Sequence, residues 1–326
     1  MKKLLRYLPI VFSLVLFCWF VQEILKPLSP DVAVDGVNVE PEQQPTAVAK
    51  DKPPLELILH YIKFKLDGAD GINIRFLDYL SILSAVQRLK PDKIFVHADE
   101  EPQGTYWNEL KSRGWVKYVY RKKVINVSGR EGTLKNIWHI ADKARVDILL
   151  EYGGLAVDFD VYFVRGERIR QIMQNHKAIA CYEHKIAYNS GLFGASKGSR
   201  LLYAWHHSYD VIYRGNDWTF NSGDLLKFLS EIFPEEVYVV DHVCNNPFAW
   251  DIENFFLKTG HHHWTDSVAI HTYHRLHKGG LFDTEMADAD GLKKSWPSDF
   301  RDILLTIYEN RTLPEPDPMF SDRIAL

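Results

Sequence analysis

The sequence predicts an α/β protein with a mainly parallel sheet, preceded by a transmembrane helix. Strand-like and helix-like segments alternate from Leu55 onward, which is typical of parallel strands joined by helices. Basic residues and then an apolar run open the chain, and a proline-rich segment separates that run from the body. The 326 residues are 46% hydrophobic and 25% charged, with a net charge of −4. This composition indicates a globular body and no nucleic-acid partner.

The N-terminal segment predicts a signal anchor. Residues 1–7 carry Lys2, Lys3 and Arg6, and residues 8–25 are apolar apart from a short polar interruption. Basic residues before such a run favour a cytoplasmic N-terminus, and the length suits a thin bilayer. A cleaved signal peptide is the alternative, although no small-x-small cleavage site follows the run. We therefore expect a single-pass type II membrane protein with its body in the secretory lumen.

Residues 26–54 predict a flexible stem. This segment contains six prolines and no aromatic residue, so it cannot bury enough apolar surface to fold. A disordered leader without a spacing role would have the same sequence pattern. Residues 55–326 then form the body, in which we expect one domain.

The elements of the body follow from apolar spacing and from glycine or proline boundaries. A run of apolar residues at helical spacing stops before Pro91, and Gly153 is expected to cap a longer helix at its C-terminus. In chain order, the predicted elements are strand Leu55–Ile62, helix Ile74–Lys90, strand Asp92–Asp99, helix Gly104–Gly114, strand Val116–Lys122 and helix Thr133–Gly154.

The stretch Glu151–Phe163, EYGGLAVDFDVYF, places two acids in an apolar run that resembles a buried strand. Lys and Arg are absent from this stretch, so no local ion pair is expected for Asp158 or Asp160. If the chain is extended there, the two acids point to one side and Phe159 points into the core. Two adjacent carboxylates repel each other unless a cation lies between them, and oxygen ligands suit Mg²⁺ or Mn²⁺.

Two other interpretations of this acid pair stay open. The acids could end the strand and simply face water. The pair could also belong to a phosphatase, in which the first acid of a D-x-D after a strand is the nucleophile. Tyr162 does not fit that second pattern, which usually has Thr or Val at this position.

The stretch Ala141–Asp160 resembles the signature of DXD-containing sugar transferases. That family includes α-1,4-galactosyltransferases and α-1,4-N-acetylglucosaminyltransferases of the Golgi, and its motif recurs in bacterial glucosylating toxins. Ala141 and Ala156 depart from the Ser and Tyr that are common in the motif. The matching positions are Asp142, Arg145, Leu149, Gly153, Gly154, Asp158 and Asp160.

The resemblance implies a GT-A catalytic domain at 55–326, with a Rossmann-like sheet that binds a nucleotide sugar and carries flanking helices. It implies transfer of a hexose or N-acetylhexosamine from a UDP-sugar to a glycan or glycolipid hydroxyl, with retention, in the Golgi lumen and with Mn²⁺ or Mg²⁺. The alternatives are a metal-dependent phosphatase or nucleotide-sugar hydrolase, and a catalytically inactive sugar-binding module.

The resemblance also assigns expected roles outside the acid pair. Asp142 and Arg145 share one helix face and would bind the donor together with Asp158. Taken alone, the plainer interpretation is a solvent-exposed intrahelical ion pair of little energetic value. Asn189 and Asp224, with Asp160, are the candidates for groups at the reacting centre. Asp224 would equally suit a helix N-cap.

A histidine-rich segment, His261–Gly280, is expected to complete the metal site. In metal-dependent sugar transferases that this chain resembles, a His in an apolar-apolar-His context near the C-terminal end completes the metal site. VAIHTYH is similar to that context, so the resemblance implies His271 as the third ligand beside Asp158 and Asp160, while His274 and Lys278 could close over the diphosphate.

The cysteines and the glycosylation sequons relate to the expected lumenal location. Cys181 and Cys244 could form a disulfide there or remain buried thiols. Asn126 and Asn310 lie in glycan acceptor triplets if the body is lumenal.

Overall fold

The computed structural model describes residues 55–127, 133–184, 187–240, 252–276 and 281–317. The tail, transmembrane helix and stem expected at 1–7, 8–25 and 26–54 lie outside these residues. Within the described ranges, no helix is both long and apolar enough to cross a membrane.

Nine strands form one large sheet and one small ribbon within this described part. The large sheet has the order β3-β2-β1-β4-β7-β6-β8, and the ribbon pairs β5 with β9. β7 runs antiparallel to β4 and β6, whereas the other four neighbouring pairs of the large sheet are parallel. The strands are β1 Ile58–Ile62, β2 Lys93–Ala98, β3 Lys117–Tyr120, β4 Gly154–Val157, β5 Val161–Phe163, β6 Ala178–His184, β7 Ala187–Ala195, β8 Val237–Val240 and β9 Ala269–His271. The prediction of an α/β fold with a mainly parallel sheet is confirmed.

Helices lie between most of the strands. They are α1 Phe76–Ser84, α2 Thr105–Ser112, α3 Ile137–Tyr152, α4 Glu167–Asn175, α5 Arg200–Val211, α6 Leu225–Ile232, α7 Ile252–Leu257, α8 Leu281–Glu285, α9 Ala289–Lys294 and α10 Asp299–Tyr308. Two π-helical turns, Ala85–Leu89 and Phe220–Asp224, extend α1 and precede α6.

The six elements predicted before Asp158 are present in the predicted order, each a few residues shorter than expected. The longest of them, α3, begins where the side chain of Asn136 accepts a hydrogen bond from the backbone N–H of Trp138. Gly153 ends this helix with a φ of 68°, as predicted, because glycine adopts that backbone conformation without strain.

Apolar side chains form a core on each face of the large sheet. Along β4, Leu155 and Val157 join one cluster, which includes residues of α1 and α10, while Ala156 joins the other, which includes residues of α3, α5 and α6. This alternation is what a strand buried on both faces requires. The sheet therefore lies between two helical layers.

The chain is not extended through Asp158 and Asp160; the strand ends before the acids, which was the alternative left open. β4 ends at Val157, and residues 158–160 form a turn in which the N–H of Val161 donates to the Asp158 carbonyl over 3.1 Å. β5 then leaves the large sheet and pairs with β9 instead. Because of this turn, both acids project from the carboxyl end of β4, while Phe159 packs into the core as expected.

Candidate active site

Three side chains form a cluster that could hold a divalent cation. The ligand atoms of Asp158, Asp160 and His271 lie within 4.8 Å of one another. His271 Nε2 is 3.0 Å from Asp160 Oδ1 and 3.9 Å from Asp158 Oδ2. Carboxylate and imidazole donors at this spacing suit Mn²⁺ or Mg²⁺ more than a structural zinc site, which usually contains cysteine. The residues present therefore fit the cation that the sequence predicts.

The ribbon of β5 and β9 brings His271 to the acids from a distant part of the chain. His271 is the register partner of Val161, the residue that follows Asp160. Thr272 fixes this contact, since its N–H and its Oγ1 donate to the Asp160 carbonyl over 3.0 and 3.1 Å.

Asn189 lies behind the imidazole and is buried. Its Oδ1 accepts from the Gly191 N–H over 2.6 Å, and its Nδ2 faces the other way and lies 2.7 Å from His271 Nδ1. The same nitrogen donates to the hydroxyl of Tyr273, whose ring stacks on His271 at 3.8 Å. In this geometry Asn189 orients His271.

Gly191 was not singled out by the sequence analysis, although it follows the predicted Asn189 in an Asn-Ser-Gly triplet. A Cβ atom at Gly191 would lie 2.4 Å from His271 Cε1. Glycine is therefore required for the imidazole to lie against the backbone of β7.

Arg145 is the partner of Asp158 that the local sequence did not reveal. Its guanidinium donates to Asp142 Oδ1 over 2.7 Å and also to Asp158 Oδ1. The Arg145 side chain is 2% exposed, so the Asp142–Arg145 pair is not the solvated surface pair considered above.

Burial and charge act in opposite directions on the pKa values of this cluster. Burial disfavours the charged form of Arg145, but Asp158 and Asp142 outweigh burial and raise its pKa. Burial raises the pKa of Asp142, and the attraction of Arg145 only partly offsets it. Burial would also raise the pKa of Asp160, yet His271 reverses the effect and lowers it.

Two further cations, Lys63 and Arg275, line the same cleft as the acids. Both bind the buried carboxylate of Asp78, and the Lys63 ammonium lies 4.8 Å above the ring of Phe159. Although burial opposes ionisation of Asp78, Arg275 and Lys63 together lower its pKa to about 2. Sequence reasoning missed both cations, and only the position of Lys63 directly after β1 pointed toward the site.

Two adjacent clefts open at the cluster, with volumes of about 210 Å³ and 120 Å³. The larger cleft is lined by Lys63, Arg145 and Arg275, as well as by the acids. The smaller one is lined by groups such as Asn189 and Thr219. Both share Trp138, Asp142, Asp158, Trp218, His271 and Tyr273.

Two of the other predicted residues, Asp224 and His274, lie away from this cluster. Asp224 takes the N-cap position of α6 without a side-chain capping bond, and it lines neither cleft. His274 does not reach the clefts, because it is fully buried, stacks on Phe300 at 5.7 Å and bonds Thr272 Oγ1 through Nδ1 at 3.1 Å. Lys278 lies outside the described residues.

The structure describes one of the two cysteines and both sequon asparagines considered above. Cys181 is disulfide-bonded and therefore does not remain a buried thiol. Cys244 lies outside the described residues. Asn126 and Asn310 are both exposed.

The cluster lies at the carboxyl ends of parallel strands, where open α/β sheets bind ligands. Lys63 follows β1, and Asp158 follows β4. β7 runs antiparallel to β4, so its first residues, including Asn189, meet the same edge. This arrangement can hold a divalent cation next to the basic side chains of the larger cleft and the polar groups, such as Asn189, of the smaller cleft.

Comparison with known proteins gives partial similarities. No family model matches the chain. A 110-residue stretch, 33% of this chain, is 27% identical to Glucan organizing enzyme 1 of Cryptococcus neoformans var. grubii and spans 29% of that protein's length. Among solved structures, an active-site mutant of LgtC has a TM-score of 0.39 at 13% identity, over 79% of this chain and 98% of LgtC. The glycosyltransferase GlyE of Streptococcus pneumoniae, in its apo form, has a TM-score of 0.43 at 9% identity, over 83% of this chain and 62% of GlyE. Both TM-scores lie below 0.5.

Proposed function

We propose that this chain is a metal-dependent glycosyltransferase that moves a hexose or N-acetylhexosamine from a UDP-sugar to a hydroxyl of a glycan or glycolipid, with retention. The observation that carries the proposal is the convergence of Asp158, Asp160 and His271 beside a cleft lined by cations. A nucleotide sugar has a doubly charged diphosphate, which a cation and basic side chains can neutralise together.

The residues have distinct proposed roles. Asp158, Asp160 and His271 would hold Mn²⁺ or Mg²⁺, and a bound cation supplies Lewis-acid stabilisation of the departing diphosphate. Arg145 holds Asp158 toward the cleft and balances its charge. Lys63 and Arg275 join Asp142 and the predicted Lys278 as candidates for contact with the donor. Asn189 orients His271.

The remaining features of the proposal rest on the sequence. A signal anchor at 8–25 and a stem at 26–54 would place a catalytic domain at 55–326 in the Golgi lumen. The similarity to a protein named for glucan covers too little of either chain to specify the acceptor.

Calorimetry on the full chain in detergent tests the proposal. UDP should bind in the presence of Mn²⁺ and lose most of its affinity in Asp160→Asn, because one of the two carboxylates of the cation site is removed. Asp290→Asn, at an exposed acid on α9, is the matched control and should bind UDP normally. Equal UDP affinity in Asp160→Asn and the unchanged chain would contradict the metal role.

Incubation with UDP-sugars and Mn²⁺, without an acceptor, separates the other classes of protein. A hydrolase consumes the donor completely, whereas a transferase releases UDP slowly. A sugar-binding module without catalytic activity leaves the donor intact.

A further inference from the structure

Two exposed tryptophans stand at the mouth of both clefts. Trp138 is 54% exposed and Trp218 is 50% exposed, and their ring centroids lie 5.1 Å apart at 53°. Both line the larger and the smaller cleft together with Asp158. Large aromatic side chains exposed side by side next to a polar site are typical of a surface that binds a ligand.

Trp138 is fixed by the helix that carries the site. It lies in the first turn of α3, where Asn136 caps its backbone N–H over 3.0 Å. Asp142 and Arg145 follow it by four and seven residues, so all three share one face of the helix. Trp138 therefore has a fixed position relative to the acids.

Trp218 is fixed by a loop with a buried polar anchor. The side chain of Asn221, which is 2% exposed, accepts from the N–H of Arg214 over 2.9 Å and donates to the Arg214 carbonyl over 2.7 Å. Trp205 Nε1 donates to the Asn221 carbonyl over 2.8 Å. These bonds close the loop that carries Trp218 and hold it against α3.

The two clefts differ in charge, which distinguishes their ligands. The larger cleft contains Lys63, Arg145 and Arg275, which suit a diphosphate. The lining of the smaller cleft, as far as the structure describes it, contains no lysine or arginine. It includes the hydroxyls of Ser190 and Thr219 beside the shared Asp142 and Asp158. Hydroxyls and carboxylates without a basic side chain suit a neutral sugar better than a phosphate.

We infer that Trp138 and Trp218 form the acceptor subsite and bind a neutral pyranose unit of a glycan by stacking on its apolar C–H face. Asp142, proposed above for the donor, also lines the smaller cleft beside both tryptophans, where it could accept a hydrogen bond from an acceptor hydroxyl. This inference rests on the proposed transferase function and names the chemistry of its acceptor. Neither tryptophan is one of the motif residues that the sequence resemblance covers.

Fluorine NMR on the full chain with 5-fluorotryptophan tests this directly. Trp138→Phe and Trp218→Phe assign the two signals, and Trp296, which is 72% exposed and lines neither cleft, is the internal control. Lactose, cellobiose, maltose and methyl β-D-galactopyranoside are titrated with UDP and Mn²⁺ present. We expect at least one of these sugars to shift the Trp138 and Trp218 signals and to leave that of Trp296 in place.

Three results would overturn the inference, and they differ in what they say about the proposed function. If UDP and Mn²⁺ bind but none of the four sugars shifts either signal, the subsite is wrong and the transferase proposal survives. If UDP and Mn²⁺ do not bind, both fail together. Signals that move with phosphatidylcholine vesicles and not with sugars would identify a membrane contact instead.

Kinetics give an independent measurement with any accepted sugar. Trp218→Ala should raise the acceptor KM about tenfold, a factor that corresponds to roughly 1.4 kcal/mol of lost contact. The dissociation constant of UDP with Mn²⁺ should stay within about twofold, since a tryptophan on the acceptor side makes no diphosphate contact. Trp296→Ala should change neither value. An equal loss in acceptor and UDP affinity would contradict a separate acceptor subsite.

Discussion

At the scale of single residues, the acid pair in EYGGLAVDFDVYF is stabilised by two different partners. Asp158 binds the buried guanidinium of Arg145, while Asp160 binds His271. Arg145 can serve two acids because its planar group presents several N–H donors in fixed directions. A buried arginine in this position sets the direction of Asp158 and also lowers the cost of placing several carboxylates together.

This bridge predicts a stability effect at Arg145. Arg145→Lys keeps the charge but cannot reach both Asp142 and Asp158, so we expect a loss of about 1–3 kcal/mol of unfolding free energy. Urea denaturation measures this. The control is Arg113→Lys, at an arginine half exposed and paired with Glu109, which should change stability by less than about 0.5 kcal/mol. Similar losses in the two variants would show that the bridge contributes nothing specific.

At the scale of elements, the ribbon of β5 and β9 completes the candidate metal site. It supplies His271 from more than a hundred residues beyond Asp160, and β7 supplies the backbone on which the imidazole lies. Metal sites depend on groups that orient the ligands as well as on the ligands themselves. Here Asn189 and Gly191 have that orienting role.

Gly191 gives a test of this orientation. Gly191→Ala would push the imidazole off β7, and we expect Mn²⁺ affinity measured by calorimetry to fall roughly tenfold or more. Gly198→Ala is the matched control, because a Cβ atom there meets nothing within 4 Å, and it should bind Mn²⁺ normally. If Gly191→Ala retains full affinity, His271 is either not a ligand or is not held by β7.

The sequence predicts those parts of the site whose residues lie close together along the chain. Asp142, Arg145, Asp158 and Asp160 lie within one short motif, so their proximity could be predicted. The turn at 158–160 could not, because it depends on the N–H of Asp158 bonding the carbonyl of Gly191. Lys63 and Arg275 come from opposite ends of the body, and only the folded chain brings them to one cleft.

At the scale of the whole molecule, a buried histidine pair links the large sheet to the helix that carries the site. His60 on β1 and His97 on β2 bond each other at 3.0 Å, and His60 Nε2 donates to the Gly153 carbonyl over 2.9 Å. A carbonyl can only accept, so His60 Nε2 carries a proton. Both rings are neutral at pH 7 because their pKa values are lowered, and His60 Nδ1 then accepts from His97. The ring of Tyr152 lies 5.6 Å from that of His60.

This pair predicts how stability depends on pH. Burial lowers the pKa of His60 to about 4 and that of His97 to about 2, and the nearby Arg121 acts in the same direction. In the unfolded chain both histidines titrate near 6.5. Between pH 6.5 and pH 4 the unfolded state therefore binds protons that the folded state excludes, and the unfolding free energy decreases as pH falls. The shift of His60 alone corresponds to roughly 3 kcal/mol by pH 4.

Denaturation in urea at pH 7 and pH 4.5 measures this effect. The double variant His60→Gln with His97→Gln should show a smaller difference in unfolding free energy between the two pH values, even if it is less stable at both. His207→Gln, at a histidine outside the pair, should keep the full difference. The comparison separates the histidines from carboxylates such as Asp142, whose raised pKa gives a dependence of opposite sign. An unchanged pH difference in the double variant would mean that burial of this pair does not govern the acid sensitivity of the fold.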